Sequence, residues 1–281
     1  MTEYMSIGSH RLAYDLQGDG PLVVLAHGMG DSRRSYRFVM PALVAAGYRV
    51  ANLDIRGCGE SSTDWPGYSR TDIAGDLVAL VKHLGGPAVL VGQSISGGAG
   101  TIAAADAPDL IAGVVELAPF TRKQSMDLAG MLSVQPYRAA SVQLMLTMLR
   151  GNVANWLKYL DTAIPVKPAD WASERSRIAA TMQDPGHMKV LQAMMKTTPV
   201  DAGARLADVA SPVLIIQGSA DPDWADPRAE GERIIADLPA GLGRLEVIEG
   251  AGHYPHAQTP NEVLDLMLPF LAGIFGEPDH A

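Results

Sequence analysis

Several short runs in this chain are apolar on both faces, among them Leu22-Val23-Val24-Leu25-Ala26 and Val213-Leu214-Ile215-Ile216. A strand with one wet face alternates apolar and polar residues. A strand without that alternation must be covered on both sides, as the inner strands of a parallel sheet are. Further strand candidates lie at residues 12–16, 48–53, 88–91, 113–117 and 244–248. Helical patterns separate them, at residues 36–46, 71–84, 95–105, 228–238 and 261–274. This alternation predicts a doubly wound, mostly parallel α/β sheet. With 281 residues, 47% of them hydrophobic, the chain can bury one large core with an insertion, or two small ones.

The alternation breaks between Pro119 and Ser211. That stretch reads as helices, for example over 139–149 and 153–161, punctuated by Pro165, Pro168, Pro185 and Pro199. We therefore expect an α/β core from residues 1–119 and 211–281 and a helical cap, or lid, from residues 120–210. Such a cap would sit over the carboxyl ends of the strands, where ligands bind in open parallel sheets. Eight of the thirteen methionines fall in it: Met126, Met131, Met145, Met148, Met182, Met188, Met194 and Met195. Methionine is apolar and adaptable. These residues suit a small core of the cap's own, and some of them the wall of an apolar pocket.

The chemistry is written at the end of one strand. The run Val89-Leu90-Val91 stops at Gly92, Ser94 follows two residues later, and Ser96, Gly97 and Gly98 open a helix. This is the pattern of a nucleophile elbow, a sharp strand-to-helix turn that holds a serine hydroxyl clear of the sheet. The usual fifth position is glycine; here it is Ser96, small enough for the close packing at the helix start. The plainer alternative is a serine in a tight glycine-rich turn.

A serine hydroxyl needs a general base, and the base needs a group that fixes its tautomer and stabilises its charged form. In sheets bearing this elbow the chain order is serine, acid, histidine. Asp221, just past strand 213–217 and before Pro222, is the expected acid, with Asp223 and Asp226 as alternatives. His253, after strand 244–248 and the glycines Gly250 and Gly252, is the expected base. His256, close behind, reads as a cap of the following helix or a partner for a surface acid. His10, His27, His83, His187 and His280 lack this placement.

An oxyanion intermediate must be met by preorganised N–H groups. One is expected from Ile95, and the second from Met29 in the loop His27-Gly28-Met29-Gly30, whose alternative reading is an ordinary glycine turn. His27, Gly28 and Gln93 are candidate substrate contacts. The chain has no metal-ligand spacing and no dinucleotide or phosphate-loop fingerprint, so neither a metal nor a cofactor is expected.

Together these elements resemble the α/β-hydrolase superfamily over nearly the whole chain. The matching segments are residues 27–30, Asp54-Ile55-Arg56-Gly57-Cys58-Gly59-Glu60-Ser61, the Ser94 elbow, residues 218–221 and Gly250-Ala251-Gly252-His253. Five segments in the right order are far more specific than any one. The resemblance implies Ser94 as nucleophile, Asp221 as acid, His253 as base, Met29 and Ile95 as oxyanion donors, and a cap domain. Asp54 and Arg56 read as structural, and Cys58 as a small residue in their loop.

The net charge of −9, with no basic cluster, argues against nucleic acid or an anionic membrane as the main partner. A single cysteine allows no intrachain disulfide, and residues 1–10 lack a signal-peptide pattern. The apolar stretch at 264–275 is too short to span a bilayer and contains Pro269. The expectation is a soluble cytoplasmic protein acting on a small molecule. The leading function is hydrolysis of an ester, thioester or lactone of a small, mostly apolar substrate. The alternatives are carbon–carbon bond hydrolysis of a diketone-type substrate, a cofactor-free perhydrolase or haloperoxidase-like activity, and a small-molecule receptor built on the same fold. The carbon–carbon reading calls for arginines near the pocket, for which Arg33, Arg34, Arg37, Arg122 and Arg138 are candidates.

Overall fold

The computed structural model describes residues 1–123 and 127–276; Met126 and His280 lie outside those residues. Its strands are β1 (Thr2–Ile7), β2 (His10–Gln17), β3 (Leu22–Ala26), β4 (Arg49–Leu53), β5 (Ala88–Gln93), β6 (Ile111–Leu117), β7 (Val213–Gly218) and β8 (Gly243–Ile248). They form one eight-stranded sheet in the order β1-β2-β4-β3-β5-β6-β7-β8. β2 is antiparallel to both its neighbours, and every other pairing is parallel.

Helices cover both faces. Between the strands of the first half lie α1 (Val39–Ala45), α2 (Arg70–Leu84) and α3 (Ile95–Asp106). Among the described residues the chain passes from β6 to β7 through helices and loops alone. These helices are α4 (Leu128–Ser133), α5 (Gln135–Arg150), α6 (Val153–Ala163), α7 (Trp171–Gln183), α8 (Pro185–Met195) and α9 (Val200–Gly203), followed by a 3-10 turn at Leu206–Asp208. α10 (Pro227–Asp237), α11 (Pro255–Gln258) and α12 (Pro260–Phe275) complete the chain. Among the described residues no helix is long and apolar enough to cross a membrane.

The side-chain alternation of β3, β5 and β7 explains why these strands read as continuous apolar runs. Leu22, Val24, Leu90, Val213 and Ile215 pack with Ile73 and Leu77 of α2 and Ile95 and Ala99 of α3. Val23, Leu25, Val89, Val91, Leu214 and Ile216 pack on the other face with Val39 and Leu43 of α1 and Val263 and Met267 of α12. A third cluster joins Trp156, Tyr159, Leu160, Ile178, Met182, Met188 and Leu191 of the β6–β7 insertion. Met182 and Met188 thus belong to the insertion's own core.

Two elements differ from the sequence reading. β1 was not anticipated, because only Met5 of its six side chains is buried and an edge strand with one buried residue leaves no periodic signal. The helix expected over 36–46 is two pieces, a 3-10 turn at Arg33–Tyr36 and then α1. Pro41 sets the later start: lacking an N–H, it fits only the first turn of a helix.

α2 is bounded by its own sequence. Ser69 accepts from the Asp72 N–H, Asp72 accepts from the Ser69 N–H, and Gly85 closes the helix with φ 79°. Ser69→Ala is expected to lower unfolding stability by about 1 kcal/mol, read as a lower urea midpoint with an unchanged m-value.

Candidate active site

Parallel strands end together. The chain leaves β3, β5, β7 and β8 at the same edge of the sheet, and the loops there carry Met29, Ser94, Asp221 and His253 in that order. Ser94 takes φ 56° and ψ −116°, a conformation that costs a non-glycine residue roughly 1–3 kcal/mol. Its surroundings hold it there. The Ser94 N–H donates to the Leu117 carbonyl (3.0 Å), and its carbonyl accepts from Gly97 (3.0 Å) and Phe120 (3.2 Å). The loop after β3 lies against it: a Cβ placed on Gly28 would stand 3.1 Å from that of Ser94 and overlap the Gln93 amide. Ser96 is fully buried, and its hydroxyl donates to the His27 carbonyl (2.6 Å). The serine in the usual glycine position thus ties the elbow helix to the loop carrying Met29.

His253 is only 2% exposed and is fixed through its backbone. Its N–H donates to the carbonyl of Ala163, at the end of α6, at 2.9 Å. Its carbonyl accepts from the Gln93 side chain at 2.9 Å. Its ring meets the edges of Phe120 (5.7 Å) and Tyr254 (5.4 Å). Two carboxylates face Nδ1: Asp221 Oδ2 at 2.9 Å, in a hydrogen bond, and Asp223 Oδ2 at 3.3 Å. Asp221 also accepts from the Gln217 amide and the Asp223 N–H, both at 3.0 Å. Asp223 accepts from the Tyr159 hydroxyl of α6 (2.7 Å). Asp226, the third acid candidate, caps α10 instead by accepting from the Ala229 N–H.

The charges follow from this geometry. Burial disfavours a charged imidazole, but Asp221 and Asp223 outweigh it and carry His253 up to about 9. Burial, reinforced by Asp221, raises the Asp223 carboxyl to about 6 against the pull of His253 and Tyr159. Donor atoms of Asp221, Asp223 and His253 lie within 4.8 Å of one another, close enough to hold a cation. Gln217 and Tyr159 donate to Oδ2 of Asp221 and of Asp223, the oxygens nearest His253 Nδ1, while Asp223 Oδ1 is buried without a partner. The cluster is a hydrogen-bonded arrangement of two carboxylates about one imidazole.

Ser94, His253, Asp223 and Met29 line one cavity of about 190 Å³, small beside the roughly 300–1,000 Å³ of drug-sized pockets. Met145, Met148, Met194, Met195, Trp156 and Leu144 make the rest of it largely apolar. These methionines come from the insertion, on α5 and α8. Arg70 also reaches the wall. None of the five arginines singled out from sequence does. Arg33 pairs with Asp15 and Asp54, Arg34 with Glu174, Arg37 with Asp170 and Arg122 with Asp237, while Arg138 donates to carbonyls of α4.

Three candidate substrate contacts stand behind the wall rather than in it. His27 is fully buried; its Nε2 accepts from the Ile55 N–H, so Nδ1 carries the proton and donates to the Gly28 carbonyl at 2.7 Å. Gly28 and Gln93 are buried beside it, with Gln93 engaged on His253. His256 neither caps α12 nor reaches a surface acid. It is fully buried, stacks on Tyr36 and shares a 2.6 Å hydrogen bond with Ser35, and burial pushes it down to about 3. Asp54 and Arg56 brace the fold: Arg56 forks onto Asp76, and Asp54 receives the Arg33 and Glu60 N–H groups. Cys58 is buried, and burial pushes its thiol up.

A sequence profile described as the alpha/beta hydrolase family matches residues 23–266. The 2-(acetamidomethylene)succinate hydrolase of Mesorhizobium japonicum is 28% identical over 277 residues, covering 95% of this chain and 94% of that protein. A karrikin insensitive 2 receptor of Petunia hybrida is 27% identical, over 88% of this chain and 90% of the relative. The solved structure of a thermophilic esterase from Thermogutta terrifontis superposes with a TM-score of 0.75 at 22% identity, covering 98% of this chain and 99% of the other.

The two-carboxylate arrangement makes a spectroscopic prediction. The His253 ring should titrate well above 6.5, near 9. Asp223→Asn removes a negative charge that favours the imidazolium, so it should lower that value, followed by ring-resonance NMR against pH.

Proposed function

The chain belongs to the alpha/beta hydrolase family, and on that premise we propose that it is a serine hydrolase cleaving a carboxylic ester, thioester or lactone of a small, mostly apolar substrate. The observation that carries this reading is the shared cavity of Ser94 and His253, with His253 Nδ1 held by Asp221 at 2.9 Å. That bond leaves Nε2 as the ring atom available to the serine.

In this mechanism the Ser94 oxygen attacks the carbonyl carbon as the neutral His253 ring takes its proton at Nε2, so turnover should rise with pH toward about 9 as the imidazolium deprotonates. Asp221 holds the ring in the required tautomer and stabilises the imidazolium. The N–H groups of Met29 and Ile95 receive the oxyanion, and Ile95 opens α3, where the helix dipole favours negative charge. Collapse expels the alcohol or thiol, protonated by His253, and leaves an acyl-enzyme. Water, deprotonated by the same nitrogen, then releases the acid and regenerates the serine.

In this reading residues 120–210 act as the cap, with α5, α6 and α8 supplying most of the apolar wall of the cavity. The small volume favours a compact substrate. The relative named as a hydrolase supports hydrolytic chemistry on this scaffold. The relative named as a receptor supports a second reading, in which the same cavity senses a ligand with slow turnover.

Wild-type protein should be labelled rapidly by a fluorophosphonate and should turn over short p-nitrophenyl esters. Ser94→Ala should abolish labelling and cut turnover by roughly 10⁴-fold or more. Absence of labelling in the folded wild type overturns the hydrolase reading, and labelling with negligible ester turnover favours the receptor. Asp221→Asn should be more damaging than Asp223→Asn, because only Asp221 hydrogen-bonds the ring; the reverse order in kcat/KM would move the acid to Asp223.

A further inference from the structure

Arg70 is the first residue of α2 and is only 2% exposed. Both circumstances disfavour a cation. Burial strips its hydration, and the start of a helix carries partial positive charge. A buried guanidinium ordinarily answers this with a carboxylate. Among the described residues Arg70 has none: its Nε donates to the Phe120 carbonyl (2.8 Å) and its Nη1 to the Thr197 hydroxyl (3.3 Å). Both acceptors are neutral, and two bonds leave most of its five N–H groups free for another partner. Asp201 acts on it only at a distance and accepts instead from the N–H and hydroxyl of Thr71. Burial brings the guanidinium down to about 10, so it stays charged at neutral pH.

The fold aims this charge at the reacting centre. Arg70 lines the same cavity as Ser94 and His253, and it is the sole arginine or lysine among the described residues that do so. Its side chain crosses α3 at Gly98, where a Cβ would stand 2.9 Å from Arg70 Cδ and 2.6 Å from the Phe120 carbonyl. Gly98 lies four residues after Ser94, one helical turn away, on the order of 5–6 Å along the same face. Glycine at this position gives the arginine its path. The remaining wall is mostly thioether and aromatic, and a lone unpaired charge in such a wall fits a ligand that is apolar apart from one anionic end.

We propose that Arg70 binds a carboxylate of the substrate, which makes the substrate a small ester whose apolar body carries a carboxylate a few bonds from the scissile carbonyl. This rests on the reading of Ser94 as nucleophile. The planar guanidinium would take both carboxylate oxygens and fix the carbonyl over Ser94.

The test compares mono(p-nitrophenyl) glutarate with p-nitrophenyl pentanoate. The wild type should favour the anionic ester in kcat/KM by roughly 10- to 100-fold, the range of a charge-assisted hydrogen bond. Arg70→Met should collapse that ratio to one or below, chiefly through KM, while Arg70→Lys should keep part of it. A wild-type ratio at or below one overturns the proposal, as does a ratio unchanged in Arg70→Met. A second readout needs no turnover. Monomethyl glutarate should raise the melting temperature of Ser94→Ala, dimethyl glutarate should not, and the Ser94→Ala/Arg70→Met double variant should respond to neither. Equal responses to both esters count against the anion site. The two readings fail separately: fluorophosphonate labelling with no anionic preference removes Arg70 alone, and half-ester binding without labelling removes the nucleophile alone.

Discussion

Val23 and Leu25 of β3 turn toward α1 and α12, while Leu22 and Val24 turn toward α2 and α3, and β5 and β7 repeat the division. A sheet covered on both faces leaves little room for polar side chains along its length, and the buried Asn52 and Glu116 stand toward the carboxyl ends of their strands. Polar chemistry is therefore confined to the strand ends, and parallel strands put four of those ends at one edge. Ser94, Met29, Asp221 and His253 follow β5, β3, β7 and β8 for this reason. The cavity's position is a consequence of how the core is buried.

Around that edge the β6–β7 insertion supplies polar contacts as well as apolar wall. Tyr159 donates to Asp223, the Ala163 carbonyl receives the His253 N–H, and apolar side chains of α5, α6 and α8 line the cavity that holds Ser94. The electrostatics of the imidazole thus depend on both parts of the chain. Asp221 and Asp223 come from the loop after β7, and the hydroxyl that steadies Asp223 comes from α6.

Much of this was legible in the sequence because it rests on local pattern. The inner strands announce themselves by β-branched and apolar runs, and the elbow by glycine, serine and small residues at fixed spacing. β1 was not legible, because an edge strand that buries one side chain carries no period. Arg70 was missed because nothing local distinguishes a buried arginine from a solvated one. Its position as the first residue of a capped helix, where acids are preferred, was the available signal. Four of the five arginines that sequence singles out are engaged elsewhere by acids from other segments, such as Glu174 and Asp170, and Arg138 by carbonyls of α4. Long-range pairing of this kind has no sequence period at all. The same holds for His256, whose place in a buried stack on Tyr36 depends on a turn more than two hundred residues earlier.

The hydrogen bond from the His253 N–H to the Ala163 carbonyl joins the imidazole's own backbone to the end of α6. A displacement of α6 that left His253 in place would break that bond. The insertion that walls the space beside Ser94 is thereby tied to the backbone of His253.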